Sequence, residues 1–123
     1  MLVALGGAAG SIARYLMTLG AHRLLGVSFP IGTLAVNVVG CFVVGLLTTA
    51  VLPPNLPQYP LRLLLVTGFL GGFTTFSALG IETFAFFEKH QAGYAILNIA
   101  ANLGLGVGAV FGGWALGRVL NPA

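Results

Sequence analysis

The sequence predicts an all-α membrane protein of four transmembrane helices. Three observations carry this reading: a composition almost empty of charge, four apolar runs each as long as a bilayer is thick, and proline or charged residues between them. Of 123 residues, 58% are apolar and 6% charged, against roughly 25% charged in soluble domains, and the mean hydropathy is +1.03. Each crossing of a hydrocarbon core about 30 Å thick needs about 20 apolar residues. Four crossings with short connections therefore account for residues 1–123 as a single transmembrane domain. The net charge of +3 comes from only five Lys and Arg residues spread along the chain, so no nucleic-acid footprint is expected.

The first span is expected at residues 2–21, with Arg14 its only charge. It lacks a basic leader and a small-residue cleavage site, so it reads as a span rather than a removable signal peptide. The second, at 31–52, is uncharged, preceded by Pro30 and stopped by Pro53-Pro54. A short loop through Asn55, Pro57 and Gln58 leads to the third, at 61–87. The fourth, at 92–117, is again uncharged and is closed by Arg118.

Inside the third span lies Gly68-Phe69-Leu70-Gly71-Gly72-Phe73-Thr74-Thr75-Phe76-Ser77. A Gly, Thr and Phe cluster in a spanning segment predicts a helix broken at membrane depth. In hydrocarbon every backbone N–H and C=O needs a partner, so a break occurs only where protein, water or an ion satisfies the freed groups. This makes the segment the first candidate for a functional site, and points to ion handling.

With four spans, Arg23 and Lys89 fall on one side of the membrane and Arg62 and Arg118 on the other. The Lys/Arg bias that normally fixes orientation is thus absent. The tie favours a chain that inserts both ways up and pairs with an inverted copy, an antiparallel dual-topology dimer. Glycines four apart in the first span (Gly6, Gly10) and in the fourth (Gly104, Gly108, Gly112, with Gly113 and Gly117) predict close helix packing. Whether the partner helix lies in the same chain or in a second copy is left open by the spacing.

Several polar residues sit where lipid would penalise them. A lipid-facing Arg14 would cost at least about 2.5 kcal/mol, so it points inward or snorkels. It is either an anion attractor or a structural group that satisfies helix-end carbonyls or pairs with Glu82. A fixed full charge in a narrow path would trap an anion, which favours the structural role. Glu82 reads as an Arg partner or a rim carboxylate. Asn37 offers two N–H donors in the uncharged second span, either as inter-helix glue or as a neutral donor to an anion. Asn98 and Asn102 share one face of the fourth span and read as glue, donors suited to the carbonyls of a neighbouring broken helix. The break supplies carbonyls from Gly71 through Thr74, which suit a hard cation such as Na⁺. Phe76 supplies a ring whose positive edge can favour an anion. Cys41, alone inside a span, reads as a packing residue.

At these residues the chain resembles the Fluc (CrcB) family of bacterial fluoride channels. The resemblance rests on residues 6–15 (GGAAGSIARY), 32–40 (GTLAVNVVG) and 68–77 (GFLGGFTTFS), with Asn98 and Asn102, and covers essentially the whole chain. It implies a fluoride-selective channel in the bacterial inner membrane that passively exports fluoride and so lowers its toxicity. The assembly implied is a dual-topology dimer with a structural Na⁺ at its centre. Carried across by motif, Gly71 and Thr74 would offer main-chain carbonyls to Na⁺, Asn37 would donate to fluoride, Phe76 would present a ring edge, and Ser77 would add a hydroxyl. Arg14 matches a structural Arg and Glu82 a carboxylate after the Phe motif. The family usually continues Phe-Ser-Thr-Phe, whereas this chain reads Phe76-Ser77-Ala78-Leu79. Leu79 can wall a pore but lacks the ring edge. A homodimer is expected, with a heterodimer of related subunits as the alternative.

Two other classes compete. A small four-span proton-coupled multidrug exporter would need a membrane carboxylate early in the chain, where Arg14 stands instead. A non-conducting partner subunit would tolerate changes at Asn37 and Phe76. An enzyme is not expected: two carboxylates, His22, His90 and one Cys form no catalytic constellation.

Overall fold

The computed structural model of the protein describes residues 1–52 and 59–122, and all regular structure among them is helical. Pro53-Pro54, the loop residues Asn55, Pro57 and Gln58, and Ala123 lie outside the described residues. Helix α1 is Leu2–Leu25 and α2 is Ile31–Ala50. Helix α3 covers residues 60–73, α4 is Phe76–Glu88 and α5 is Ala92–Leu120. Four stretches are long and apolar enough to cross a membrane: Leu2–Leu25, Ile31–Ala50, Pro60–Glu88 and Ala92–Leu120.

Helices α1 and α5 run beyond the apolar runs that predicted them, α1 through His22 and Arg23 and α5 through Arg118. Backbone hydrogen bonding continues where hydropathy stops, and basic side chains in a last turn suit the negative end of the helix dipole. Helix α1 ends at Gly26, whose φ of 80° only glycine adopts freely. Between α4 and α5 the chain turns in a Schellman closure, Gln91 N–H to Phe86 O at 2.9 Å and His90 N–H to Phe87 O at 3.0 Å, with His90 at φ 56°. Phe29 in the first loop stacks on Phe86 of α4, ring centroids 6.1 Å apart, and Phe86 on Tyr94 of α5 at 5.6 Å. These rings tie the first and third connections together at one end of the bundle.

Within α3, Leu63–Leu70 has the wider i→i+5 hydrogen bonding of a π-helix. This is the segment that α1 approaches through glycine. A Cβ on Gly6 would overlap the Leu64 carbonyl oxygen, and one on Gly10 would overlap that of Phe69 and lie 2.9 Å from Phe73 N. Helices α2 and α5 meet as closely: a Cβ on Gly45 would strike the Val110 carbonyl, and one on Gly113 that of Phe42.

The glycines of the fourth span therefore divide between two faces. Gly113 and Gly117 are buried against α2 of the same chain, joined by Gly106 near Cys41, while Gly104 and Gly108 have nothing within 4 Å. Little of the large apolar surface is buried by the chain itself, and Val36, Leu70, Phe73, Leu79 and Ala95 form a slim core. In a membrane chain the remaining apolar surface faces lipid or another helix rather than water.

Candidate functional site

Thr74 and Thr75 take extended angles (φ −75°, ψ 157° and φ −150°, ψ 116°) between Gly71–Phe73 and α4. Gly40 on α2 makes room for this turn, since a side chain there would overlap the Thr74 methyl group. The Thr74 hydroxyl donates back to Leu70 O at 3.0 Å. Thr75 caps α4: its Oγ1 accepts from Ala78 N–H at 3.2 Å and lies 3.2 Å from Ser77 Oγ. A Thr N-cap satisfies one of the donors that every helix start leaves unpaired.

The peptide groups of Thr75 find their partners on α2. Thr75 N–H donates to Asn37 Oδ1 at 2.8 Å, and Asn37 Nδ2 donates to Thr75 O at 3.1 Å. One side-chain amide thus pairs with both peptide groups of Thr75. In an unbroken helix Thr75 N–H would serve the carbonyl of Gly71; here it is diverted to Asn37. The second N–H of Asn37 donates to Asn102 Oδ1 at 2.8 Å. Both Asn37 donors are therefore engaged by protein, which gives Asn37 a bracing part alongside the anion contact expected from sequence.

From Asn102 the network continues along α5 and back to α4. Asn102 Nδ2 donates to Asn98 O at 3.0 Å and lies 3.2 Å from Asn98 Oδ1, and Asn98 Nδ2 donates to Thr83 Oγ1 at 3.1 Å. Asn98 is 0% exposed. These two asparagines join α5 to α4 and, through Asn37, to α2. It is Asn37, not either of them, that reaches the extended backbone. Glu82 accepts from the Thr33 hydroxyl rather than from Arg14, and its second oxygen, Oε2, is buried with no hydrogen-bond partner among the described residues. Arg14 is half-buried on α1.

Six of the predicted residues meet around one groove. Phe76 is 80% exposed and Leu79 6% exposed. Both line a groove of about 400 Å³ whose polar edge is Asn37 and Asn102 and whose floor includes Gly71 and Thr74. A smaller apolar cavity of about 230 Å³ adjoins it, lined by Phe76, Leu79, Gly80, Thr83, Ile99 and Leu103. Ser77 is exposed beside Phe76. At the end of the bundle where the first and third connections meet, a cavity of about 470 Å³ brings Glu82 together with His22, Ser28, Lys89 and Gln91.

Thr33, Thr83 and the π-helical stretch escaped the sequence reading. Thr33 stands four residues before Asn37, hence on the same helix face, and a second polar group on that face of an uncharged span was the available signal. Thr83 follows Glu82 directly and carried no signal of its own.

Four apolar helices, an extended pair inside one of them and a side-chain network that satisfies it define a small multi-pass membrane protein built around a polar interior site. The chain matches the family described as "CrcB-like protein, Camphor Resistance (CrcB)" over residues 1–114 and belongs to that family. It is 52% identical over 120 residues to a protein of Rhizobium etli named fluoride-specific ion channel FluC, covering 98% of this chain and 96% of that one. Relatives of the same name from Agrobacterium fabrum (49% over 119 residues, 97% and 95%) and Geobacter sulfurreducens (46% over 115 residues, 94% and 90%) are similar at nearly full length.

Proposed function

We propose that this protein is a fluoride-selective channel that passively exports fluoride across the bacterial inner membrane. The observation that carries the reading is the exposed ring of Phe76 placed directly after the Thr74–Thr75 extension, at a groove edged by neutral amide side chains. Full-length similarity to proteins named as fluoride channels supports the choice of ion. Fluoride is small and tightly hydrated, so a narrow route must replace its water with amide, hydroxyl and ring-edge donors. Neutral groups do this without the trap that a fixed charge would create. Phe76 supplies the ring edge, Ser77 a hydroxyl and Leu79 an apolar wall, while Asn37, both of whose donors are taken by Thr75 O and Asn102 Oδ1, holds the extended pair beside them.

The third span is read as a helix broken at membrane depth, and the working unit as an antiparallel dimer. The groove at Phe76 opens on the surface of the single chain, which suits enclosure by a second copy. The even split of Arg23 and Lys89 against Arg62 and Arg118 supports insertion in both orientations. The carbonyl of Gly71, relieved of Thr75 N–H, and that of Thr74 would hold a Na⁺ with the same pair from the second copy. Their chemistry fits, since hard cations take carbonyl oxygens where a membrane helix unwinds. The bound ion would hold the two breaks together.

Fluoride and chloride efflux from liposomes holding this chain alone, with Na⁺ present, tests the reading. Rapid fluoride-selective efflux is expected. Phe76→Ala should lower it about tenfold or more, because each ~1.4 kcal/mol of lost ion stabilisation is a factor of ten. Chloride passing equally well, or an unaffected Phe76→Ala, would refute the pore assignment. No efflux from folded dimers would favour a heterodimer or a non-conducting subunit.

Leu79→Phe is expected to raise fluoride flux by restoring a second ring edge. The cavity beside Leu79, with Gly80 open to it, offers room for the larger ring. Unchanged or lower flux in well-folded protein would count against the ring-edge account.

A further inference from the structure

We propose that the C-terminal end of α5 binds the phosphate of a membrane lipid headgroup through Arg118. The chain has only two carboxylate side chains, Glu82 and Glu88. Both lie on α4, Glu82 in the cavity at the end where the first and third connections meet. Arg118 follows Ala92 by most of the length of α5, roughly 40 Å at ~1.5 Å per residue. Among the described residues, no carboxylate side chain lines the cavity around it.

The guanidinium is nevertheless positioned. It lies 5.1 Å from the centroid of the Trp114 ring, a stacking geometry that steadies the cation while leaving its edge donors available. Around it is a cavity of about 400 Å³ lined by Thr49, Trp114, Arg118, Asn121 and Pro122. The Thr49 hydroxyl already donates to Gly45 O at 2.8 Å. The guanidinium, the Asn121 amide and the Trp114 indole N–H are the other side-chain donors of the lining, and the guanidinium fork matches the oxygens of a phosphate.

Depth and charge select the form of that phosphate. The cavity closes a candidate membrane span, so it lies where headgroups lie, and Trp and Arg together at such a boundary are interfacial anchors. The carbonyl end of α5 carries partial negative charge. One guanidinium against that end favours the single charge of a phosphodiester over the greater charge of free inorganic phosphate.

Native mass spectrometry of the full chain in detergent tests this with phosphatidylglycerol, diacylglycerol of the same acyl chains, and inorganic phosphate. Phosphatidylglycerol is expected to be retained over diacylglycerol, and Arg118→Gln to reduce that retention roughly fivefold. Inorganic phosphate should not compete at equal concentration. Arg118→Lys, which keeps the charge but loses the planar stack, should fall between. Fluoride efflux should be unchanged in Arg118→Gln, reporting an intact fold. Equal retention by the chain and Arg118→Gln, or equal retention of diacylglycerol, would overturn the site. Displacement by inorganic phosphate would overturn the headgroup as its source.

Discussion

Asn37→Asp is expected to remove fluoride efflux and to destabilise the protein more than Asn37→Ala does. The alanine loses the paired hydrogen bonds to Thr75 N–H and O and the one to Asn102. Inter-helix hydrogen bonds in membranes are worth only about 0.6 kcal/mol on average and about 1.7 at most, but an unsatisfied buried peptide group costs about 1–3 kcal/mol. The alanine variant should thus lose on the order of 2–5 kcal/mol. The aspartate keeps the acceptor for Thr75 N–H but turns the donating nitrogen into an oxygen that faces Thr75 O and Asn102 Oδ1. Two acceptor–acceptor contacts are then added to a carboxylate in the membrane, itself about 2.5 kcal/mol or more unfavourable. Thermal unfolding in detergent should rank the chain above Asn37→Ala and that above Asn37→Asp. Liposome efflux should fall about a hundredfold or more in the aspartate variant, the rate ratio for ~2.8 kcal/mol. If Asn37→Asp folds and conducts normally, the amide does not brace the extended pair.

Gly10→Val is expected to yield no folded protein, whereas Gly104→Val leaves the single-chain fold intact. At Gly10 even a Cβ would overlap the Phe69 carbonyl oxygen and lie 2.9 Å from Phe73 N, and both are backbone atoms that no rotamer change can move aside. Overpacking typically costs 1–3 kcal/mol, as an order of magnitude, when side chains can adjust, and here α1 would have to leave the π-helical segment altogether. A Cβ on Gly104 would meet nothing within 4 Å among the described residues outside its own helix backbone. Size-exclusion yield and thermal unfolding of the two variants measure the contrast directly. A well-folded Gly10→Val would show that the approach of α1 to α3 is looser than these contacts require. A Gly104→Val that folds but no longer associates would place that face between subunits.

These two results divide what was legible in the chain from what was not. Length and hydropathy alone determined four spans and the all-helical class, because the cost of an unpaired peptide group in lipid applies residue by residue and needs no knowledge of neighbours. The Gly and Thr cluster at 68–77 singled out the segment that holds the extended pair Thr74–Thr75. The isolated polar residues Asn37, Asn98 and Asn102 announced themselves by being costly where they stand. Their partners did not. That Asn37 rather than Asn98 or Asn102 reaches Thr75, that Thr33 takes Glu82 instead of Arg14, and that Gly113 packs inward while Gly104 faces outward depend on the rotation and register of one helix against another. Those are set by interdigitated contacts between segments far apart in the chain. Composition and spacing along a single helix do not contain them.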